Sequence, residues 1–297
     1  MKLGAIDIGS NAVRLKVSRV TYINKQPQFK KIEYIRFPLA LGREVFEHQF
    51  ISPESEQKLT QLLQAFKLLL TLYELDDYMI CATASWREAK NGLFVKANIE
   101  KALQLSIHII DGNEEANLIN KAIQPLIKGG NYLHVDVGGG STELSFYKEQ
   151  VRIATRSFKL GSLRNNTLPE ASSVWTAMEA WIHTQKRYYS DRLIGIATGG
   201  NIRKLAQLAG GNGGKIFSLK QLVAAQKYLA SYSLEERIHV LQLNPDRAEV
   251  ILPAVQIYLA AIQWSEIKHT LVPDTGLKDG IIRALYEKRI RASREEG

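Results

Sequence analysis

The stretch Asp136-Val137-Gly138-Gly139-Gly140-Ser141-Thr142-Glu143 sets two carboxylates around three glycines and two hydroxyls. Glycine reaches positive φ and lets the main chain come close to a ligand, and successive N–H groups in a turn form a concavity that suits an anion. Ser141 and Thr142 add hydroxyl donors. Asp136 and Glu143 would repel a bare phosphate and are better used to hold a hydrated divalent cation, most simply magnesium, between protein and phosphate. The plain alternative is a flexible glycine turn with no ligand.

A second copy of the device opens the chain, where Asp7-Ile8-Gly9-Ser10-Asn11 offers carboxylate, glycine, hydroxyl and amide about 130 residues earlier. Two such units in domain-sized halves read as an internal repeat, and a duplicated chain tends to place its ligand between its halves. Three other sets could serve the same anion. Arg87, in Thr83-Ala84-Ser85-Trp86-Arg87-Glu88, could meet a phosphate oxygen bidentately or make an ordinary ion pair with Glu88 or a nearby acid. Thr198-Gly199-Gly200-Asn201 could present backbone N–H groups at a helix N-terminus. Glu114 and Glu115, in the first turn of a helix, are commonly dipole complements, but either could act as general base for water.

The elements that must carry these residues follow from periodicity. Leu133–Val137 and Glu143–Tyr147 read as the strands of a hairpin around the three glycines, and Leu3–Ile8 and Val13–Val20 as its first copy. Phe29–Leu41 and Gln150–Phe158 supply a third strand in each half, with 42–48 expected as a loop. Ser52-Pro53-Glu54 is an N-cap signal for the amphipathic run from Leu59 to Tyr73. Tyr78–Thr83, Ser106–Ile110 and Leu193–Ala197 read as strands, and 91–103, 111–127, 174–189, 235–240, 247–264 and 277–289 as helices. The segment 271–275 connects the last two. Gly210–Lys215 is only superficially like a Walker loop and reads as a flexible connection.

Composition narrows the class. A chain of 297 residues with 45% hydrophobic content can build real cores, and the formal charge of +9 favours polyanionic partners. No helix-turn-helix or paired-cysteine pattern supports a specific nucleic-acid role. Cys81 is the single cysteine, so no intrachain disulfide forms, and its apolar surroundings make it a core residue. The opening residues are cut short by Asp7, no later run approaches a membrane span, and a cytoplasmic location is expected. The six histidines make no i, i+4 pair and no G-x-S-x-G elbow occurs, which argues against zinc and serine hydrolases.

Taken in order, these residues carry a resemblance. Ile6–Asn11, Ala82-Thr83 with Arg87-Glu88-Ala89, Gly112 with Glu114-Glu115-Ala116, Asp136–Glu143, Lys159-Leu160-Gly161 with Arg164, Gly195 with Thr198-Gly199-Gly200, Arg247-Ala248 with Leu252-Pro253, and Gly276-Leu277 with Gly280 span nearly the whole chain. The set resembles the exopolyphosphatase and guanosine pentaphosphate phosphohydrolase (Ppx/GppA) family. The resemblance implies an α/β, actin-like (ASKHA) duplicated fold of two ribonuclease H-like lobes around a cleft, here 1–125 and 126–297, with the last helix able to pack back on the first lobe. It further implies magnesium or another divalent cation and hydrolysis of terminal phosphoanhydrides, releasing orthophosphate from polyphosphate or guanosine pentaphosphate. Longer relatives append a C-terminal HD-type helical domain for which this length leaves no room. A homodimer is compatible with the reading.

By the same resemblance Glu115 matches the general base, with Glu114 kept open, and Asp136 and Glu143 match the catalytic metal carboxylates, joined by Asp7. Ser10, Asn11, Arg14, Arg87, Gly138, Gly139, Gly140, Ser141, Thr198 and Gly199 match the positions that hold phosphoryl oxygens. The chain departs from the pattern at Ala12, at Ala84 and Ser85, at Asn201, and at Ala40, which stands in place of a usual arginine with Arg43 nearby. Two other readings of the same fold compete: an ATP-dependent small-molecule kinase and a non-catalytic, nucleotide-sensing actin relative.

Overall fold

In the computed structural model, which describes residues 1–164, 169–189, 192–210 and 215–295, the chain begins with three antiparallel strands. These are β1 (Lys2–Ile8), β2 (Val13–Ile23) and β3 (Gln26–Phe37). Then come α1 (Leu41–His48), α2 (Pro53–Leu72), β4 (Asp77–Ala82), α3 (Ala84–Glu88), α4 (Gly92–Leu103), β5 (Ile107–Ile109) and α5 (Gly112–Ile123). The sheet order is β3-β2-β1-β4-β5, with β4 and β5 parallel to β1. Period-2 alternation buries Ile6, Ile8, Val13 and Leu15 with Leu59, Leu63, Phe66 of α2 and Val95, Ile99 of α4. Each such buried aliphatic side chain contributes about 1.5–3 kcal/mol. Asp7 and Arg14, of opposite parity, therefore share the other sheet face.

The second sheet repeats this plan. Its strands β6 (Asn131–Val137), β7 (Thr142–Lys148) and β8 (Val151–Phe158) form the antiparallel meander. They are followed by α6 (Pro169–Lys186), β9 (Leu193–Thr198), α7 (Gly200–Leu208), β10 (Lys215–Ser218), α8 (Leu219–Ala230), α9 (Leu234–His239), α10 (Pro245–Trp264) and β11 (His269–Val272). The order β10-β11-β9-β6-β7-β8 contains β8-β7-β6-β9-β11, which matches β3-β2-β1-β4-β5 strand for strand. Leu133, Val135, Val137, Leu144 and Phe146 face an apolar cluster built largely by α10.

The compact units are Met1–Ala122 with Gly276–Gly297, and Ile123–Thr275. The C-terminal helix Leu277–Glu295 packs on β1, β4 and β2, so it joins the first unit rather than the 126–297 half. Its docking is fixed by an ion pair of Lys16 with Asp279 and by Gly280, where a Cβ would run into the Leu118 carbonyl of α5.

Other expectations need correction. Residues 42–48 are helical, not a loop: Leu41, Gly42 and Val45 are buried, so tertiary burial makes a helix that has no side-chain cap. It starts from Ala40 in the left-handed region at φ 55°. β3 ends at Phe37, short of the expected Leu41. Helix α8 is an addition to the expected elements, and Ser218 and Gln221 close a capping box in front of it. Of the Walker-like stretch, 211–214 lie outside the described residues, and Lys215 opens β10.

Candidate active site

The two hairpins that carry the glycine turns are built to one design. In the second unit Asp136 and Glu143 are direct cross-strand partners, Asp136 also pairs with Thr198 on parallel β9, and Glu143 pairs with Ser157 on β8. Register neighbours share a face, so Thr198, Asp136, Glu143 and Ser157 form one polar row across four strands. Glu143 is 2% exposed and accepts from the Ser157 hydroxyl at 2.8 Å. In the first unit the corresponding row is Cys81, Asp7, Arg14 and Arg36.

The rows differ where it matters for a cation. Arg14 occupies the place that Glu143 holds in the second unit, and its Nη1 lies 2.9 Å from Asp7 Oδ2. Asp7 thus has an internal cation, which makes it a weaker metal ligand than expected and commits part of Arg14. The second unit sets acid against acid, and that is the donor set a hard divalent ion takes. Among the described residues no three His, Cys, Asp or Glu side chains gather to hold a metal. An ion on Asp136 and Glu143 would therefore complete its shell with water and substrate oxygens.

The glycine turn has a defined orientation. Gly138 N–H bonds the Ser141 carbonyl at 2.8 Å, Ser162 N–H bonds the Gly138 carbonyl at 3.0 Å, and Leu163 N–H bonds the Gly139 carbonyl at 2.8 Å. The Arg164 Nε takes the Gly140 carbonyl. In a trans peptide the N–H points opposite to the C=O, so pinning these carbonyls on the 160–164 segment aims the amides of Gly139, Gly140 and Ser141 the other way. Gly161 lies so close beneath the turn that a Cβ would overlap the Gly139 carbonyl. The first hairpin copies this clamp: Gly42 N–H bonds the Ser10 carbonyl at 2.8 Å and Ala40 N–H bonds the Asn11 carbonyl at 3.0 Å. Ser10 is buried within the turn.

Thr198 is fully buried, with its hydroxyl 2.8 Å from His134 Nε2 and its carbonyl taken by the Tyr258 hydroxyl. What this turn can offer an anion is therefore backbone from Gly199 onward, at the start of α7. Burial drives the His134 pKa down to about 3, so the ring is neutral. Burial, reinforced by the charge of Asp136, holds the Tyr258 hydroxyl well above its ordinary range.

Arg87 and Glu115 come together in the first unit. Arg87 Nη1 donates to Glu115 Oε2 at 3.1 Å and to the Ile110 carbonyl at 2.6 Å, with the Glu115 side chain only 12% exposed. Glu114 is placed differently: exposed, it accepts from Asp111 N–H at 3.0 Å, while Asp111 caps the N–H groups of Asn113 and Glu114. That is a capping box, and it occupies Glu114 structurally. Cys81 sits beside these acids; burial, then Asp7 and Glu115, push its thiol up to about 12. Sequence reasoning missed Tyr258, His134, and the clamping roles of Gly161, Arg164 and Gly42. The repeated Leu-Gly pairs at 41–42 and 160–161 were the available signal.

Comparison with known proteins shows the family and the fold. The model of the Ppx/GppA phosphatase family matches residues 20–289. A guanosine-5'-triphosphate,3'-diphosphate pyrophosphatase of Aliivibrio fischeri is 26% identical over 302 residues, covering 96% of this chain and 59% of the relative. The chain thus spans less than two thirds of that protein. Among solved structures, an exopolyphosphatase from Cytophaga hutchinsonii has a TM-score of 0.81 at 19% identity, covering 97% of this chain and 98% of that one. The Aquifex aeolicus family member has a TM-score of 0.77 at 23% identity, covering 97% and 98%. The shared architecture is the actin-like duplicated fold.

Proposed function

The chain belongs to the Ppx/GppA phosphatase family, and from that premise we propose that it hydrolyses a terminal phosphoanhydride and releases orthophosphate from polyphosphate or guanosine pentaphosphate. The observation that carries the reading is the oriented turn at Gly138–Ser141, its amides aimed one way by the 160–164 clamp, with the Asp136–Glu143 acid pair at the turn end of the hairpin.

Phosphoryl transfer needs positioning and charge neutralisation more than covalent chemistry from the protein. The amides of Gly139, Gly140 and Ser141 hold oxygens of the terminal phosphoryl group, and the turn at Ser10 and Asn11, built to the same design, is suited to phosphoryl oxygens as well. Asp136 and Glu143 are the residues that would hold magnesium, which when bound neutralises charge on the substrate oxygens. Glu115 takes a proton from water as the water oxygen bonds phosphorus and the anhydride P–O bond breaks. Arg87 donates to one Glu115 oxygen and so orients the carboxylate; the remaining N–H groups of Arg87 can reach a phosphoryl oxygen. Names of relatives support both substrates: the Aliivibrio protein is named for guanosine-5'-triphosphate,3'-diphosphate, the Cytophaga protein as an exopolyphosphatase.

The test is orthophosphate release from polyphosphates of several lengths, guanosine pentaphosphate and ATP, with and without magnesium. The reading expects release from at least one of the first two that chelation abolishes. No release from either, or ATP consumption only with a phosphoryl acceptor present, would replace it with the binding-protein or kinase reading.

A further inference from the structure

We propose that Tyr258, on α10, is a positioning residue that holds Asp136 and the Gly199 turn in the arrangement a cation and phosphate require; this rests on the metal reading of Asp136 and Glu143 given above.

Tyr258 stands in an otherwise apolar stretch, with Ile251, Ala254, Val255, Leu259 and Ile262 buried around it. A Leu or Phe would fill that space without burying a hydroxyl, so the hydroxyl calls for a reason. Its contacts supply one. The Tyr258 hydroxyl accepts from Val137 N–H at 3.1 Å and donates to the Thr198 carbonyl. Asp136 and Thr198 are the last registered pair of parallel strands β6 and β9. The phenol therefore ties the two strand ends just where their ladder stops, at the carboxyl edge where ligands of α/β sheets bind.

Both tied groups adjoin the site. Val137 follows Asp136, and Thr198 precedes Gly199, whose φ of +118° leads into α7. A Cβ at 199 would lie 2.5 Å from the Tyr258 hydroxyl and 3.2 Å from Asp136 Oδ1, so hydroxyl, carboxylate and glycine occupy one tight cluster. Removing the hydroxyl orphans a buried N–H and a buried C=O and lets the strand ends part. Groups that orient ligating carboxylates typically change metal affinity about 10–100-fold when removed.

The experiment measures Mn2+ binding to the substrate-free protein by electron paramagnetic resonance for wild type, Tyr258→Phe and Ile262→Val, the last a core change on the same helix away from the site. Melting curves run alongside. The inference expects Tyr258→Phe to bind Mn2+ about 10–100-fold more weakly while still melting cooperatively, and Ile262→Val to bind as wild type. Unchanged binding by Tyr258→Phe, or an equal loss in Ile262→Val, overturns it. Should Tyr258→Phe not fold, amide exchange of the wild type decides: Val137 N–H must be as protected as mid-strand β6 amides, and loop-like exchange overturns the inference. Wild-type protein that binds no Mn2+ removes the metal reading as well, whereas wild-type binding fully retained by Tyr258→Phe removes this inference alone.

Discussion

Arg87 Nη1 reaches Glu115 Oε2 at 3.1 Å and the Ile110 carbonyl at 2.6 Å, so one guanidinium on α3 ties the start of α5 and the residue after β5 to itself and sets the direction of the Glu115 carboxylate. Neighbouring Glu114 points elsewhere, into the cap of its own helix. Adjacent identical side chains thereby acquire separate duties.

The first prediction separates them. Glu114→Ala removes half of a capping box and should lower stability by about 1 kcal/mol, read by denaturant titration, while phosphate release stays near wild type. A large loss of turnover with unchanged stability would hand the base role to Glu114.

Gly161→Ala tests the clamp. Its methyl group must displace the Gly139 carbonyl, which should cost about 1–3 kcal/mol in stability and raise KM by moving the amides of the anion turn. Wild-type KM in a correctly folded variant would detach the turn from substrate binding.

Ala40 holds the first hairpin through its N–H while sitting in the left-handed region at φ 55°. Glycine adopts that conformation without Cβ strain, so Ala40→Gly should raise stability by about 1 kcal/mol, measured as a shift in the unfolding midpoint at unchanged m. A fall in stability would mean that burial of the methyl group outweighs strain.

His134 imposes a pH dependence. Its pKa falls from 6.5 unfolded to about 3 folded, so as pH drops below 6.5 the unfolded chain takes the proton and the folded one does not. Stability from this residue is complete above pH 6.5 and is lost by about 1.4 kcal/mol per pH unit on descending toward pH 3. Denaturant titrations at pH 7.5, 6.5, 5.5 and 4.5 should show that slope in wild type and a flatter one in His134→Gln.

Both hairpins and their turns were legible in the sequence because they are local: alternation fixes each strand and D-x-G fixes each turn. The α2 boundary was legible for the same reason, Ser52 accepting from Ser55 N–H where the cap signal stood. Helix α1 was not, since its residues are made helical by burial in the core of the first unit, where α1 packs on α3 about forty residues away in sequence. The Arg14–Asp7 pair was hidden too, because a sequence repeat shows the matched aspartates but not that cross-strand register sets Arg14 where the other half has Glu143. Tyr258 lies 121 residues from Val137 and 60 from Thr198, and only the packing of α10 reveals what its hydroxyl does.

The central claim is that Glu115 deprotonates the attacking water. Single-turnover phosphate release by Glu115→Gln, measured with substrate affinity determined separately at equilibrium, tests it most directly. The account predicts retained affinity with release slowed about 100-fold or more, the scale of losing a general base. Release at the wild-type rate, or a defect confined to affinity, would contradict it.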